Sequence, residues 1–327
     1  MIFSLAITGP TASGKTALSI SLAKAFGAEI VSCDSMQIYK EMDIGTAKAT
    51  PAEQSEVPHH LLDVVSPSES FSVEDYRSLA LSKARELTSR GSLPIFVGGT
   101  GLYVDSLARG TSLDSPESDP EYRDRILASL KTEEDITALW ERLLAVDPES
   151  AEKIHKNNVK RVIRALEIYE KTGKPKSLLD KETKTKPSEI FVGMITLDFH
   201  NRETLYERVD RRVDIMMEEG LLSEVEGLWK RGLLSDGTAA QAIGYKEIVE
   251  YLEGKCTLPE AIEKIKLSSR RYAKRQLTWF RHEAGAMTVF VDDEDGKMRD
   301  GGDILAEALE CSKKFKEQFK ILKGEPQ

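Results

Sequence analysis

The run Gly9-Pro10-Thr11-Ala12-Ser13-Gly14-Lys15-Thr16 constrains this chain more than any other feature. Its G-x-x-x-x-G-K-T spacing falls between an apolar run at residues 3–7 and a segment where Leu18, Leu22 and Phe26 recur at helical spacing up to Gly27. A chance match in a chain of this length is on the order of one per cent. Strand, glycine-rich turn and helix in that order aim successive backbone N–H groups at phosphate oxygens, at the positive end of the helix. Lys15 adds a point charge, and the Thr16 hydroxyl suits Mg²⁺. Gly9, Pro10, Thr11, Ala12, Ser13, Gly14, Lys15 and Thr16 are thus candidates to hold a di- or triphosphate, with Thr16 also a candidate metal ligand. The pattern leaves open whether that phosphate is transferred, hydrolysed or expelled.

Further strand and helix signals follow the motif. Residues 29–32 read as a second strand, and 94–97 as a third, stopped by Gly98 and Gly99. Between them Ser72 and Asp75 form a capping-box pattern that opens a helix to about Arg90. Apolar strand candidates return only at 191–197 and 287–291. Strands spaced by helices imply right-handed crossovers, hence an α/β fold: a parallel-sheet core of the P-loop NTPase type flanked by helices. Ligands of such sheets sit at the carboxyl ends of the strands, which gathers residues 9–16, Asp34 and 98–101 around one crevice. Residues 111–190 read differently, as polar and basic helices over 119–130, 133–145 and 151–172. The expected division is therefore a core of residues 1–113 plus 197–327, with a mostly helical insertion over 114–196. A long helix is expected over 202–219, ending at Gly220, and a closing helix with a frayed end from Gly301.

Composition narrows the class. With 40% hydrophobic and 31% charged residues, disordered, collagenous and coiled-coil chains are excluded. No apolar run approaches the roughly 20 residues of a membrane-spanning helix. The start, MIFSLAITGP, has no basic leader or cleavage site, so a cytoplasmic protein without membrane association is expected. Cys33, Cys256 and Cys311 are scattered, as for reduced thiols. The net charge of -9 argues against a nucleic-acid partner until its distribution is read. Residues 151–176 carry eight Lys/Arg against three acids, and residues 264–281 carry seven basic residues and no acid. That segregation has the form of a phosphate-backbone footprint, and Tyr272, Trp279 and Phe280 interleave aromatic surface with the second run. Two solvated helix faces would produce the same runs.

Asp34 follows the second strand and points into the crevice. Its type and place suit a metal-associated carboxylate, a general base or a helix cap. His59 and His60 lack a second His/Cys cluster, so they are expected to hold a loop beside the crevice rather than a metal.

The segments GPTASGKT, SCDSMQIYKEMDIGTAK, VPHHLLDVVSP, VGGTGLY, VKRVIRALEIYEKTGK, QAIGYKE and RRYAKRQLTWFR occur in that order. Together they resemble the tRNA dimethylallyltransferases, the bacterial tRNA isopentenyl-diphosphate transferases. The resemblance runs from Ile2 to about Val291. It implies transfer of a dimethylallyl group from dimethylallyl diphosphate to the exocyclic amine (N6) of the adenosine 3′-adjacent to the anticodon, with Mg²⁺ as cofactor and diphosphate released. On it, Asp34 is the general base, Thr100 lies near the reacting centre, and the diphosphate-contacting arginine maps to Arg208 or Arg212, of which Arg212 is favoured. The tRNA anticodon stem-loop would meet Asp34, Ser35, Met36, Gln37, Thr100, Arg123, Lys160, Arg161, Val162, Ile163, Arg164, Gly244, Tyr245, Lys274, Arg275 and Gln276. Lys160 stands where many relatives carry Gln, and a lysine suits a phosphate. A monomer is expected.

Three rivals remain. An adenylate isopentenyltransferase would need no extended basic footprint. A small-molecule kinase would use the same loop for ATP. A non-catalytic RNA-binding module would be indifferent to Asp34→Ala.

Overall fold

The computed structural model describes residues 1–109, 119–184, 188–235 and 237–324. Two compact units divide them, Met1–Ala108 with Glu189–Gln327, and Arg109–Ser188.

The first unit is built on six strands: β1 (Ile2–Thr8), β2 (Glu29–Ser32), β3 (His59–His60), β4 (Pro94–Val97), β5 (Ile190–Asp198) and β6 (Met287–Phe290). They form one parallel sheet in the order β3-β2-β4-β1-β5-β6. Strands buried on both faces read as continuous apolar runs, which is why their sequence signal is strong. Alternation then sorts the side chains. Leu5, Ile7, Ile30, Ile95 and Ile195 face one layer, while Ala6, Val31, Phe96 and Met194 face the other. The register Ala6↔Phe96 and Ala6↔Met194 keeps each set on its own side. β3 was not expected: two residues at an edge carry no periodicity to read.

Helices cover both faces. α1 (Lys15–Phe26) is followed by α2 (Pro51–Glu56) and α3 (Val73–Ser89), the last opened by the expected Ser72–Asp75 capping box. α4 (Gly101–Ala108) packs with α3 through stacked Tyr76 and Tyr103, whose centroids lie 3.9 Å apart.

The second unit holds α5 (Pro120–Ser129), α6 (Glu133–Val146), α7 (Pro148–Lys153), α8 (Val159–Thr172) and α9 (Lys176–Lys184). Its core is Leu139, Leu143, Ala151, Val162, Ile163, Ala165 and Leu166. The helix expected over 151–172 is two helices, broken between Lys153 and Val159. Buried Asp147 caps α7 through the Ser150 N–H and also accepts the Ser177 N–H, at 3.0 and 2.9 Å.

The insertion also ends earlier than expected. Residues 190–196 pair with β1 from Ile2↔Ile190 to Thr8↔Thr196, so they belong to the sheet, and the unit boundary falls at residue 188 rather than 196. Its other expected edge, 113/114, lies outside the described residues.

The chain returns to the sheet unit with α10 (Arg202–Glu219), which stops at Gly220 (φ 105°) as anticipated. Then come α11 (Leu221–Lys230), a 3₁₀ turn at Ala239–Gln241, α12 (Tyr245–Leu252), α13 (Leu258–Arg281) and α14 (Gly301–Leu322). Residues 36–65 pack on α10 to α13 around Ile38, Met42, Val213, Leu221, Tyr245 and Ile265. Among the described residues no helix is long and apolar enough to cross a membrane, and all three cysteines are free.

Candidate functional site

The loop between β1 and α1 takes its shape from close approaches that exclude a side chain. Gly9 has φ 137°, and a Cβ there would lie 2.6 Å from the Leu197 carbonyl oxygen. Gly14 leads into α1 at φ 92°, and Ala12 is held in the left-handed region at φ 63°. Two distant side chains fasten the strained segment. The Thr11 N–H donates to Gln276 Oε1 at 2.8 Å, and Arg208 Nε donates to the Ala12 carbonyl at 2.9 Å. Lys15 folds back, its Nζ donating to the Gly9 and Pro10 carbonyls at 3.1 and 2.7 Å. Among the described residues the buried Ser13 hydroxyl has no hydrogen-bond partner. Beside first-turn amides that have no intrahelical acceptor, such a hydroxyl suits an anion's oxygen.

The loop forms one end of a cavity of about 590 Å³. Asp34, Lys15, Thr16 and Arg212 line it together, and Val213, Met216, Ile243 and Ile265 supply an apolar wall. Burial pushes the Lys15 ammonium down to about 7, with Arg212 pushing the same way and Asp34 opposing. Burial likewise lowers Arg212, against the pull of Asp34 and Glu219. Two enclosed cations thus face a single carboxylate, an imbalance that suits an anionic guest. Asp34 Oδ1 accepts the Met36 N–H at 2.9 Å, which leaves Oδ2 free of protein donors among the described residues. The turn after β4 comes very near: a Cβ on Gly98 would sit 2.0 Å from the Cys33 carbonyl oxygen. Thr100 is thereby brought to Ser35, its Oγ1 accepting the Ser35 N–H at 3.0 Å and donating to Ser35 Oγ at 3.3 Å.

The donor set fits Mg²⁺ in one specific sense. Among the described residues there is no group of three or more His, Cys, Asp or Glu to cage an ion. A magnesium ion that keeps several waters and takes its other ligands from phosphate needs only one or two protein oxygens, and the Thr16 hydroxyl and Asp34 both line this cavity. His59 and His60 are spoken for otherwise: His59 Nδ1 pairs with the Val57 carbonyl at 2.8 Å, and His60 Nε2 with Glu29 at 2.7 Å.

Several residues expected to face RNA also hold the fold together, and of these Gln37, Gly244, Tyr245 and Gln276 line the cavity. Gln276 is buried, and besides Thr11 it holds the Gly99 carbonyl through Nε2 at 2.9 Å, so it pins the phosphate loop to the β4 turn. Gln37 accepts from Ser32 Oγ at 2.9 Å and donates to the Thr46 and Ala47 carbonyls at 3.2 Å each. Tyr245 is fully buried, its hydroxyl on Glu224, and Gly244 is the buried residue that starts α12. In the second unit Val162 and Ile163 are core side chains, while Lys160 and Arg161 beside them are exposed. Arg123 and Arg164 both reach buried Glu167, each at 2.8 Å. Ser35 and Met36 line the cavity too.

Four cations of the basic run on α13 are paired within the chain, Lys264 and Arg281 at the exposed surface. Lys264, Lys266, Arg270 and Arg281 pair with Glu250, Asp214, Asp210 and Asp198. Lys274 and Arg275 remain exposed, Arg275 over the Tyr272 ring with its Cζ 5.6 Å from the centroid. Arg271, one turn before Arg275 and also lining the cavity, was not singled out. Its i, i+4 spacing from Arg275 was the available signal.

The family profile described as IPP transferase matches residues 37–283. The tRNA dimethylallyltransferase of Caldanaerobacter subterraneus subsp. tengcongensis is 49% identical over 288 residues, covering 88% of this chain and 91% of its own length. That of Bacillus cereus (strain B4264) is 50% identical over 288 residues, covering 88% and 89%. Among solved structures, the full-length tRNA isopentenylpyrophosphate transferase from Bacillus halodurans is 43% identical with a TM-score of 0.71, covering 98% of this chain and 99% of its own. A eukaryotic dimethylallyltransferase acting on tRNA is 29% identical with a TM-score of 0.79, covering 100% and 81%.

Proposed function

The chain belongs to the IPP transferase family, the tRNA dimethylallyltransferases, and from that premise we propose how its own residues divide the work. The donor is dimethylallyl diphosphate, its headgroup seated on the first-turn amides of α1, the Ser13 hydroxyl, Lys15 and Arg212. The acceptor is N6 of the adenosine 3′-adjacent to the anticodon. An adenine amine is a weak nucleophile because its lone pair is delocalised into the ring. Asp34 accepts its proton as the new C–N bond forms and the allylic C–O bond breaks, and the electron pair of that bond leaves on diphosphate. Charge builds up on the leaving oxygen, where the loop amides and both cations already stand. Mg²⁺ held by Thr16 would add Lewis-acid stabilisation of that same charge. Thr100 holds Ser35, and through it the turn that presents Asp34.

The observation that carries this reading is the Ser13 hydroxyl, unpartnered among the described residues, in a cavity that Lys15, Arg212 and an apolar wall line together. The row of loop amides, the Ser13 hydroxyl and Lys15 supports a diphosphate, and the apolar wall supports a hydrocarbon tail attached to it. For RNA, the exposed cations Lys160 and Arg161 on one unit, and Arg271, Lys274 and Arg275 on the other, supply phosphate contacts. Extracting the target base costs a few kcal/mol, least in an unpaired loop. The test is incubation with Mg²⁺, labelled dimethylallyl diphosphate and undermodified tRNA. Label should enter the RNA. Its absence with a competent cognate tRNA rejects the proposal.

A further inference from the structure

The turn Asp43-Ile44-Gly45-Thr46-Ala47 has no helix or strand to fix it, yet Gly45, Thr46 and Ala47 line the cavity. Its later half closes on the turn itself, with the Ala47 N–H on the Ile44 carbonyl at 2.9 Å and the Lys48 N–H on the Asp43 carbonyl at 3.0 Å. The N–H groups of its first three residues are satisfied from outside, by one side chain. Asp43 and Ile44 donate to Glu224 Oε2 at 2.9 and 2.8 Å, and Gly45 donates to Oε1 at 3.1 Å. Three successive amides converging on one carboxylate make a nest of the kind that binds anions, here filled by the protein's own α11. The Tyr245 hydroxyl donates to the same Oε1 at 2.5 Å. Burial and the Glu224 charge push that phenol far up, so it stays a donor. Among the described residues no lysine or arginine pairs with Glu224, so its charge is met by these four donors, which makes them charge-assisted bonds.

The carbonyl side of the turn is held from the opposite direction. Gln37, three residues after Asp34, donates to the Thr46 and Ala47 carbonyls. Packing leaves no slack either, since a Cβ on Gly45 would lie 2.4 Å from the Tyr245 ring. Amides on Glu224, carbonyls on Gln37 and Cα on an aromatic face fix the turn on three sides.

We propose that Glu224 is a positioning residue, which acts through the 43–47 turn to hold the cavity wall and so sets how tightly the prenyl donor is retained. This inference rests on the donor reading of the cavity given above. It assigns Glu224 no contact with substrate: the carboxylate is consumed by the nest. Removing it frees three amides and one phenol, and the turn then samples positions that widen the cavity.

The experiment uses the full chain with Glu224→Gln, Glu224→Ala and Tyr245→Phe, and reads two things. The first is amide exchange at Asp43, Ile44 and Gly45 by mass spectrometry. Exchange should quicken about tenfold or more in both Glu224 variants and less in Tyr245→Phe, with the strands of the sheet unchanged. The second is steady-state prenyl transfer. KM for dimethylallyl diphosphate should rise about tenfold in the Glu224 variants, with kcat within about threefold, because chemistry at Asp34 is left in place. Tyr245→Phe, which loses one donor of four, keeps the proposal open to test should the Glu224 variants fold poorly. It should raise KM by about twofold to threefold. Unprotected amides at 43–45 in the unaltered protein overturn the proposal. So does faster exchange with an unmoved KM, or a loss confined to kcat in proportion to unfolded protein. If the unaltered protein transfers no prenyl group, the donor reading fails by itself, while the exchange data still decide whether the latch exists.

Discussion

Raising the pH from 7 to 9 should weaken binding of an unreactive allylic thio-diphosphate about fiftyfold, through Lys15 alone. Without a ligand the ammonium is enclosed, bonded to two loop carbonyls and crowded by Arg212, and its pKa falls to about 7. A diphosphate placed on the loop supplies the missing negative charge and restores the usual range, near 10.4. Only the protonated form then binds well, so the apparent dissociation constant scales as one plus ten raised to the power of pH minus 7. That factor is about 2 at pH 7 and about 100 at pH 9. The ligand's own last ionisation, near pH 6, is about nine-tenths complete at pH 7 and adds little over this window. The sign follows from proton counting. The complex holds about half a proton more than the free components at pH 7 and nearly one more at pH 8, so binding consumes protons and weakens as they become scarce. In the free protein the linkage runs the other way: unfolded Lys15 binds the extra proton between pH 7 and 10, so this group adds stability as pH rises through that window. Calorimetry in two buffers of different ionisation heat reads the proton uptake directly. Lys15→Met should bind more weakly at pH 7 and show no slope. A flat profile in the unaltered protein, or a slope that survives in Lys15→Met, would refute the argument.

Asp34→Asn should lower single-turnover prenyl transfer by about a hundredfold or more while filter binding of tRNA stays within about twofold, since the amide cannot take the proton. The opposite pattern would make Asp34 a binding residue. Gln276→Leu unpairs the Thr11 N–H and the Gly99 carbonyl, each worth about 1–3 kcal/mol when left unsatisfied. Unfolding in denaturant should therefore show about 2 kcal/mol or more of lost stability, with RNA affinity unaltered. Loss of RNA affinity at full stability would return Gln276 to the RNA surface. Arg275→Ala should reduce RNA affinity and lower the slope of log K against log salt by about one, and an unchanged slope would remove Arg275 from the phosphate contacts.

What could be read in the sequence was what local rules control. The phosphate loop, the Ser72 capping box, the stop at Gly220 and five of the six strands are each specified within a dozen residues, and each stands where the pattern put it. Two-residue β3 carries too little pattern to detect, and the expected insertion boundary at 196 cut through a strand that the apolar run over 191–197 already marked. The basic runs show the deeper limit. Composition counts seven cations on α13, but four of them are neutralised by acids 14 to 83 positions away, on elements whose proximity only the fold creates. Gln276 sits beside exposed Lys274 and Arg275 in sequence, yet helical geometry turns it 100° from Arg275 to the cavity wall, where it meets Thr11, 265 positions back. On α8, likewise, Val162 and Ile163 join the core of the second unit right beside exposed Lys160 and Arg161. Glu224 had no such cue. Its partners are backbone amides about 180 residues away, and a carboxylate on an amphipathic helix reads as solvated surface until the turn it anchors is in view. Residues that touch a ligand are drawn from few chemical types and recur in recognisable spacings. Residues that position them need only reach, so their signal lies in tertiary distance and not in order along the chain.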